Sequence, residues 1–139
     1  MKILGIDYGE ARTGLAHSDA LGLYAVGMGN IKSYNMEKAA ADIAAKAREI
    51  GAELIVIGKP INMNGTCGEK VEKVTLLGEL IRSHTEIPIE FFDERMTTVR
   101  AHQILQESGV RSKNRRKIID SLAAELILQG YMDMEKNKH

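Results

Sequence analysis

Apolar positions in this chain fall into short continuous runs and longer periodic ones, and the two kinds alternate. Ile3, Leu4 and Ile6 form a short run of the buried-strand kind that stops on a carboxylate, Asp7, with Gly9 just beyond it. Leu15 and Ala16 open a second run after Gly14, so residues 2–19 read as a hairpin with Asp7 at its middle. Leu23, Tyr24, Val26 and Ile31, set among glycines between Gly22 and Lys32, read as a third, irregular strand. From Met36 to Ile50 the apolar residues Met36, Ala39, Ala40, Ile43, Ala44, Ala47 and Ile50 recur at helical spacing, with Asn35 placed to cap the helix and Gly51 to stop it. Leu54 to Ile57 is continuous apolar sequence, as in a strand buried on both faces. A helix between two such strands implies a right-handed crossover and a parallel pair.

The second half continues the alternation. Val71, Val74, Leu77, Gly78 and Ile81 give a second helix its inner face, where Gly78 predicts close approach to the sheet. Ile87 to Phe92 is a further strand, and it ends on Asp93-Glu94-Arg95. Thr97 and Thr98 offer N-cap hydroxyls to a helix running through Ser108, stopped by Gly109, on which His102 is expected to be exposed. In the last helix, roughly Arg116 to Asp133, Ile119, Leu122, Ala123, Leu126 and Ile127 form the apolar arc. Asp120 falls inside the edge of that arc, and Glu125 is expected to face solvent. The pattern is that of one α/β domain over residues 1–139, a length that suits a single core.

Composition narrows the function classes. With 44% hydrophobic and 27% charged residues the chain resembles an ordinary globular protein. Lys plus Arg and Asp plus Glu both total 19, so the whole molecule has no excess charge with which to hold a polyanion; a local patch must do so. One cysteine, Cys67, excludes an intramolecular disulfide and reads as a small buried thiol rather than a zinc ligand. No signal peptide or apolar run of membrane-spanning length is evident, so a cytoplasmic location without a membrane partner is expected.

The candidate chemistry lies at the ends of the apolar runs. An acid against a core face costs several kcal/mol if ionised and unpaired, so Asp120 calls for a cation, a donor or a raised pKa. A buried arginine would meet that need; so would a metal ion shared with Asp7 and one acid of the Asp93-Glu94 pair. Magnesium favours hard oxygen ligands, and two such ions about 3.5–4 Å apart can activate water and stabilise a leaving oxygen in phosphodiester cleavage. No Ser-His or Cys-His arrangement competes. Arg12 and Thr13 in the first turn, and Asn62, Asn64 and Thr66 in the loop Lys59 to Gly68, have the donors that phosphates or bases accept from. Arg111, Lys113, Arg115, Arg116 and Lys117 form the one dense cationic run, read here as a basic loop able to grip a phosphate backbone. Each segment taken alone also fits a blander description: a solvated turn, a polar connection, a solvated charge run.

Taken in order, Gly5-Ile6-Asp7-Tyr8-Gly9 with Arg12-Thr13-Gly14-Leu15-Ala16 and Ser18-Asp19 resembles the first motif of the YqgF family, the Holliday junction resolvase-like or pre-16S ribosomal RNA nucleases. Ile57-Gly58 through Pro60 with Asn62-Met63-Asn64-Gly65-Thr66 is similar to its second motif. Asp93-Glu94-Arg95 with Thr97-Thr98, and Asp120 with Ala123-Ala124 and Ile127-Leu128-Gln129, resemble the remaining two. The resemblance implies a ribonuclease H-like fold with a mixed five-stranded sheet and helices on both faces. It also implies a metal-dependent nuclease with Asp7, Glu94 and Asp120 as catalytic metal ligands, Glu94 being preferred to Asp93. Magnesium, or manganese in its place, would be the cofactor. Arg12, Thr13, Asn64, Arg95, Thr98, Arg111 and Arg115 would bind substrate, and the chain would act as a monomer or homodimer. The substrate implied is structured RNA, in 5′-end maturation of 16S rRNA, with resolution of branched DNA as the alternative. Two departures stand out: Lys59 occupies a position that is often apolar in the family, and the strand ending at Gly58 carries no acid. Asp-x-Gly followed by Thr-Gly is also similar to the phosphate loop of actin-like and sugar-kinase ATPases. An ATP-binding or non-catalytic ribosome-assembly protein of the same fold is therefore a further expectation.

Overall fold

In the computed structural model the described residues are 1–60, 68–94 and 115–137, the side chains of 115–120 excepted. Five strands, β1 (Ile3–Asp7), β2 (Arg12–Ser18), β3 (Ala25–Lys32), β4 (Leu54–Lys59) and β5 (Ile89–Asp93), form one sheet in the order β3-β2-β1-β4-β5. β1–β2 and β2–β3 are antiparallel, whereas β1–β4 and β4–β5 are parallel, so the sheet is mixed. The helices are α1 (Met36–Glu49), α2 (Glu69–Arg82) and α3 (Arg115–Asn137). This is the ribonuclease H-like arrangement that the motifs imply.

Local chemistry fixes the element ends. The Asn35 side chain accepts the Lys38 N–H at 3.0 Å to start α1. Beyond the other end Gly51 takes φ +71°, a conformation that glycine adopts without a Cβ penalty. Because side chains alternate along a strand, β1 serves two layers at once. Leu4, Ile6 and Tyr8 join Ile43, Ala44, Ile55, Ile57, Val74, Leu77 and Ile81 in a core under α1 and α2. Ile3, with Val56, Phe92, Ala124, Ile127, Leu128 and Tyr131, belongs to a second core under α3. Close approach is built in on both sides: a Cβ on Gly78 of α2 would lie 2.7 Å from Cζ of Phe91, and one on Gly5 would lie 2.8 Å from Cβ of Leu128. The expected inner face of α2 is the observed one.

The last helix departs from expectation. α3 packs on β1, β2 and β3 and reaches β4, so it is buried over a wide arc rather than a narrow stripe. Ala123 is exposed, and Leu122 and Leu126 are only half-buried. Glu125, expected in solvent, is 4% exposed. The reason is on the facing strand. Gly27 of β3 has no side chain, and a Cβ there would lie 2.1 Å from Oγ of Ser121 and 2.2 Å from Oε1 of Glu125. Ser121 in turn donates to Glu125 Oε1 at 3.4 Å. Two turns along α3, buried Gln129 accepts the Ala25 N–H at 2.9 Å and donates to the Leu23 carbonyl at 3.0 Å, fixing the start of β3. α3 also takes in Arg115 together with Arg116 and Lys117, so that three of the five basic residues of the run are helical rather than loop. The expected helix over residues 97–108, with His102, lies outside the described residues, as does Cys67.

Candidate active site

Asp7 and Glu94 come to the same end of the sheet although one strand, β4, lies between theirs. Asp7 closes β1, and Glu94 directly follows the last residue of β5. β4 runs between those strands, and its register sets Ile57 beside Ile6 and Gly58 beside Phe92, which brings Gly58 level with Asp7. A Cβ on Gly58 would lie 2.4 Å from Cδ1 of Ile127 and 3.3 Å from Oε1 of Glu94. The missing side chain therefore lets α3 come down onto β4 and lets the Glu94 carboxylate lean over the strand toward Asp7. The strand that carries no acid of its own makes room for a neighbour's.

Burial and charge act together on this pair. Asp7 holds its proton above the usual carboxylate range chiefly because it is desolvated, with the Lys70 ammonium pulling the other way. Glu94 is raised first by desolvation and next by the charge of Asp7, again opposed by Lys70, with Asp93 adding a smaller push. Two desolvated acids, one of them raised further by the other's charge, share one described cation and form a site of negative potential that a further cation would stabilise. Asp93, by contrast, ends β5 opposite Lys59. The Lys59 ammonium sits 4.5 Å from the centroid of the Phe91 ring, in cation–π contact.

Other expected residues are distributed around this end. Arg12 opens β2, exposed, with exposed Lys32 directly across on β3. Thr13 is 2% exposed, so its hydroxyl is enclosed by the fold rather than offered at the surface as the sequence led us to expect. Asp120 and Arg115 belong to α3, Asp120 one turn ahead of Ala124, but their side chains lie outside the described residues. Asn62, Asn64, Thr66, Arg95, Thr98 and Arg111 also lie outside them. Among the described residues no group of three potential metal ligands comes together.

Sequence reasoning missed Lys70. It sits in the first turn of α2 and lines a cavity of 340 Å³ with Tyr8, Gly9, Glu10, Glu69 and Lys73. The β1–β2 turn is held against α2 there by Lys73, which donates to Glu10 and pairs with Glu69 at 3.5 Å. Gly9 is required in that turn, since a Cβ would lie 2.5 Å from the Arg12 carbonyl oxygen. The available signal was positional: Lys70 stands two residues past Gly68, where the polar loop gives way to helix.

Comparison with known proteins bears on the family and the fold. The family model RuvX, described as Holliday junction resolvase, matches residues 1–134. A Clostridium beijerinckii protein named "Putative pre-16S rRNA nuclease" is 42% identical over 138 residues, covering 99% of this chain and 100% of that one. A Clostridioides difficile protein of the same name is 43% identical over 136 residues, covering 98% of this chain and 96% of that one. Among solved structures, T. thermophilus RuvC in complex with Holliday junction substrate superposes with a TM-score of 0.64 at 15% identity, covering 97% and 96% of the two chains, a likeness of fold.

Proposed function

Since the chain belongs to the RuvX family of Holliday junction resolvases, we propose that it is a metal-dependent endonuclease cutting structured RNA in 5′-end maturation of pre-16S rRNA. The observation that carries this reading is the convergence of Asp7 and Glu94 across a glycine gap, each with its proton affinity raised. Relatives of near-full coverage that bear the pre-16S nuclease name support the choice of RNA. Among the described residues no helix is long and apolar enough to cross a membrane, which agrees with work on ribosomal precursors in the cytoplasm.

The donor set fits a hard divalent cation. Asp7 and Glu94 offer only oxygen, and Asp120, borne on the helix that packs over β1, is the third carboxylate we assign. Glu94 is preferred to Asp93 because its carboxylate reaches within 3.3 Å of where a Cβ on Gly58 would stand, level with Asp7, whereas Asp93 ends β5 opposite Lys59. When bound, magnesium, or manganese in its place, supplies activated water and neutralises the leaving oxygen. The protein orients its carboxylates through the strand ends and the packing of Ile127 on Gly58. Arg12 and Lys32, like charges directly across a strand pair, are disfavoured unless an anion lies over them, so we assign them to the nucleic-acid backbone. Arg115, Arg116 and Lys117 stand at the positive end of the α3 dipole, whose first turn holds no acidic residue, and a phosphate would relieve the same repulsion. Asn64, Arg95, Thr98 and Arg111 remain proposed substrate contacts, and Thr13 is assigned to support of the turn.

The family description and the fold neighbour bound to a Holliday junction favour a second reading, a resolvase of branched DNA. One experiment separates the two. Purified protein is incubated with 5′-extended 16S precursor RNA and with a four-way DNA junction, each in magnesium and in chelator. Cutting of the RNA in magnesium alone is the expected result. Cutting of the junction alone establishes the second reading, and cutting of neither overturns both.

A further inference from the structure

Lys70 and the cavity it lines are unassigned by the reading above, on which the following inference rests. The cavity lies at the same end of the sheet as Asp7 and Glu94. Tyr8 and Gly9 directly follow Asp7, and Lys70 approaches from α2, on the face opposite α3. Its volume, 340 Å³, is within the range of about 300–1,000 Å³ typical of small-ligand pockets. Two lysines line it, but they differ in state. Lys73 is held by Glu10 and Glu69, which together neutralise it and are themselves the acids of the cavity wall. Lys70 is in no ion pair among the described residues and lines the cavity beside Tyr8 and Gly9, which directly follow Asp7. With an ion on Asp7 and Glu94, the Lys70 ammonium on the cavity wall would stand near a second centre of positive charge. A phosphate of the bound strand, singly negative and gaining charge as the bond breaks, is the ligand that such a pair attracts.

We infer that Lys70 forms a phosphate-binding site of the nuclease, holding a backbone phosphate of the nucleic acid over the edge of the sheet beside the metal carboxylates. A strand so held crosses from the α3 face to the α2 face and contacts both layers of the protein.

The test compares the wild-type protein with Lys70→Ala and Lys70→Arg; Lys70 is exposed, so both variants should keep the fold, as circular dichroism would verify. Single-turnover cleavage of the precursor RNA is measured in saturating magnesium, and affinity for the same RNA is measured in chelator across a salt series. Lys70→Ala should cut about a hundredfold more slowly, and Lys70→Arg should recover much of the loss. In chelator, the alanine variant should lose about 0.7 to 0.9 from the slope of log affinity against log salt, the signature of one phosphate contact removed. Either readout unmoved overturns the assignment. So does an alanine variant that cuts at the wild-type rate but needs less magnesium, which would make Lys70 a counter-charge for the carboxylates alone. Should the wild-type protein cut neither substrate, the nuclease reading falls, and the salt slope by itself decides whether Lys70 touches phosphate.

Discussion

Asp7 and Glu94 hold protons more tightly in the folded chain than ordinary carboxylates do, and this links pH, stability and activity at the level of single residues. Between the ordinary pKa and the raised one the native state binds more protons than the unfolded state, so stability falls as pH rises through that interval. Ionising the pair in the metal-free protein therefore works against desolvation at both groups and, at Glu94, against the charge of Asp7 as well. Asp7→Asn should raise the melting temperature in chelator at pH 7, by about 3–5 °C for each kcal/mol relieved. The same variant should cut at least about a hundredfold more slowly in magnesium, since even residues that merely support a metal ligand are worth up to that much. Raised proton affinity also sets the acid limb of activity. Cleavage should fail, on acidification, at a pH above the ordinary values of 3.8 and 4.5 when magnesium is scarce, and the limb should move to lower pH as magnesium is raised. A limb indifferent to magnesium would show that proton and ion do not compete for these groups.

Among the elements, β4 and α3 set the geometry through residues that contribute little bulk. Gly58→Ala forces a methyl group against Ile127 and toward Glu94; it should cost about 1–3 kcal/mol in urea unfolding and lower cleavage together with stability. Gln129→Leu removes both side-chain bonds that pin β3 and strands the Ala25 N–H and Leu23 carbonyl; about 1–3 kcal/mol is expected for each group left buried without a partner. The strands and first two helices were legible because each obeys one period, and the inner face of α2 matched residue for residue. α3 was misread because a wheel weighs hydrophobicity alone. Its buried face includes Ser121, Glu125 and Gln129, admitted by a glycine on a strand that is remote in sequence. Of the site, Asp7 and Glu94 were legible as acids that end apolar runs. Lys70 was not, because nothing in its own surroundings marks it; only the crossover that sets α2 beside β1 gives it a role.

For the whole molecule, the sheet divides two cores that depend on different helices. α1 and α2 share one side, whereas among the described residues α3 alone covers the other. A chain ending before residue 115 should consequently bare Val56, Phe92 and Ile3, bind a hydrophobic dye and aggregate, rather than persist as a smaller native unit. Retention of native-like unfolding by that fragment would show that the first core suffices. A further consequence concerns safety in a cell crowded with RNA. With Asp120 as the proposed third ligand, the helix that roofs this side also brings the last acid, so a half-finished or loosened chain would lack a complete set of ligands and should stay chemically silent toward the transcripts around it. On that assignment, destructive power would switch on only with the final act of folding.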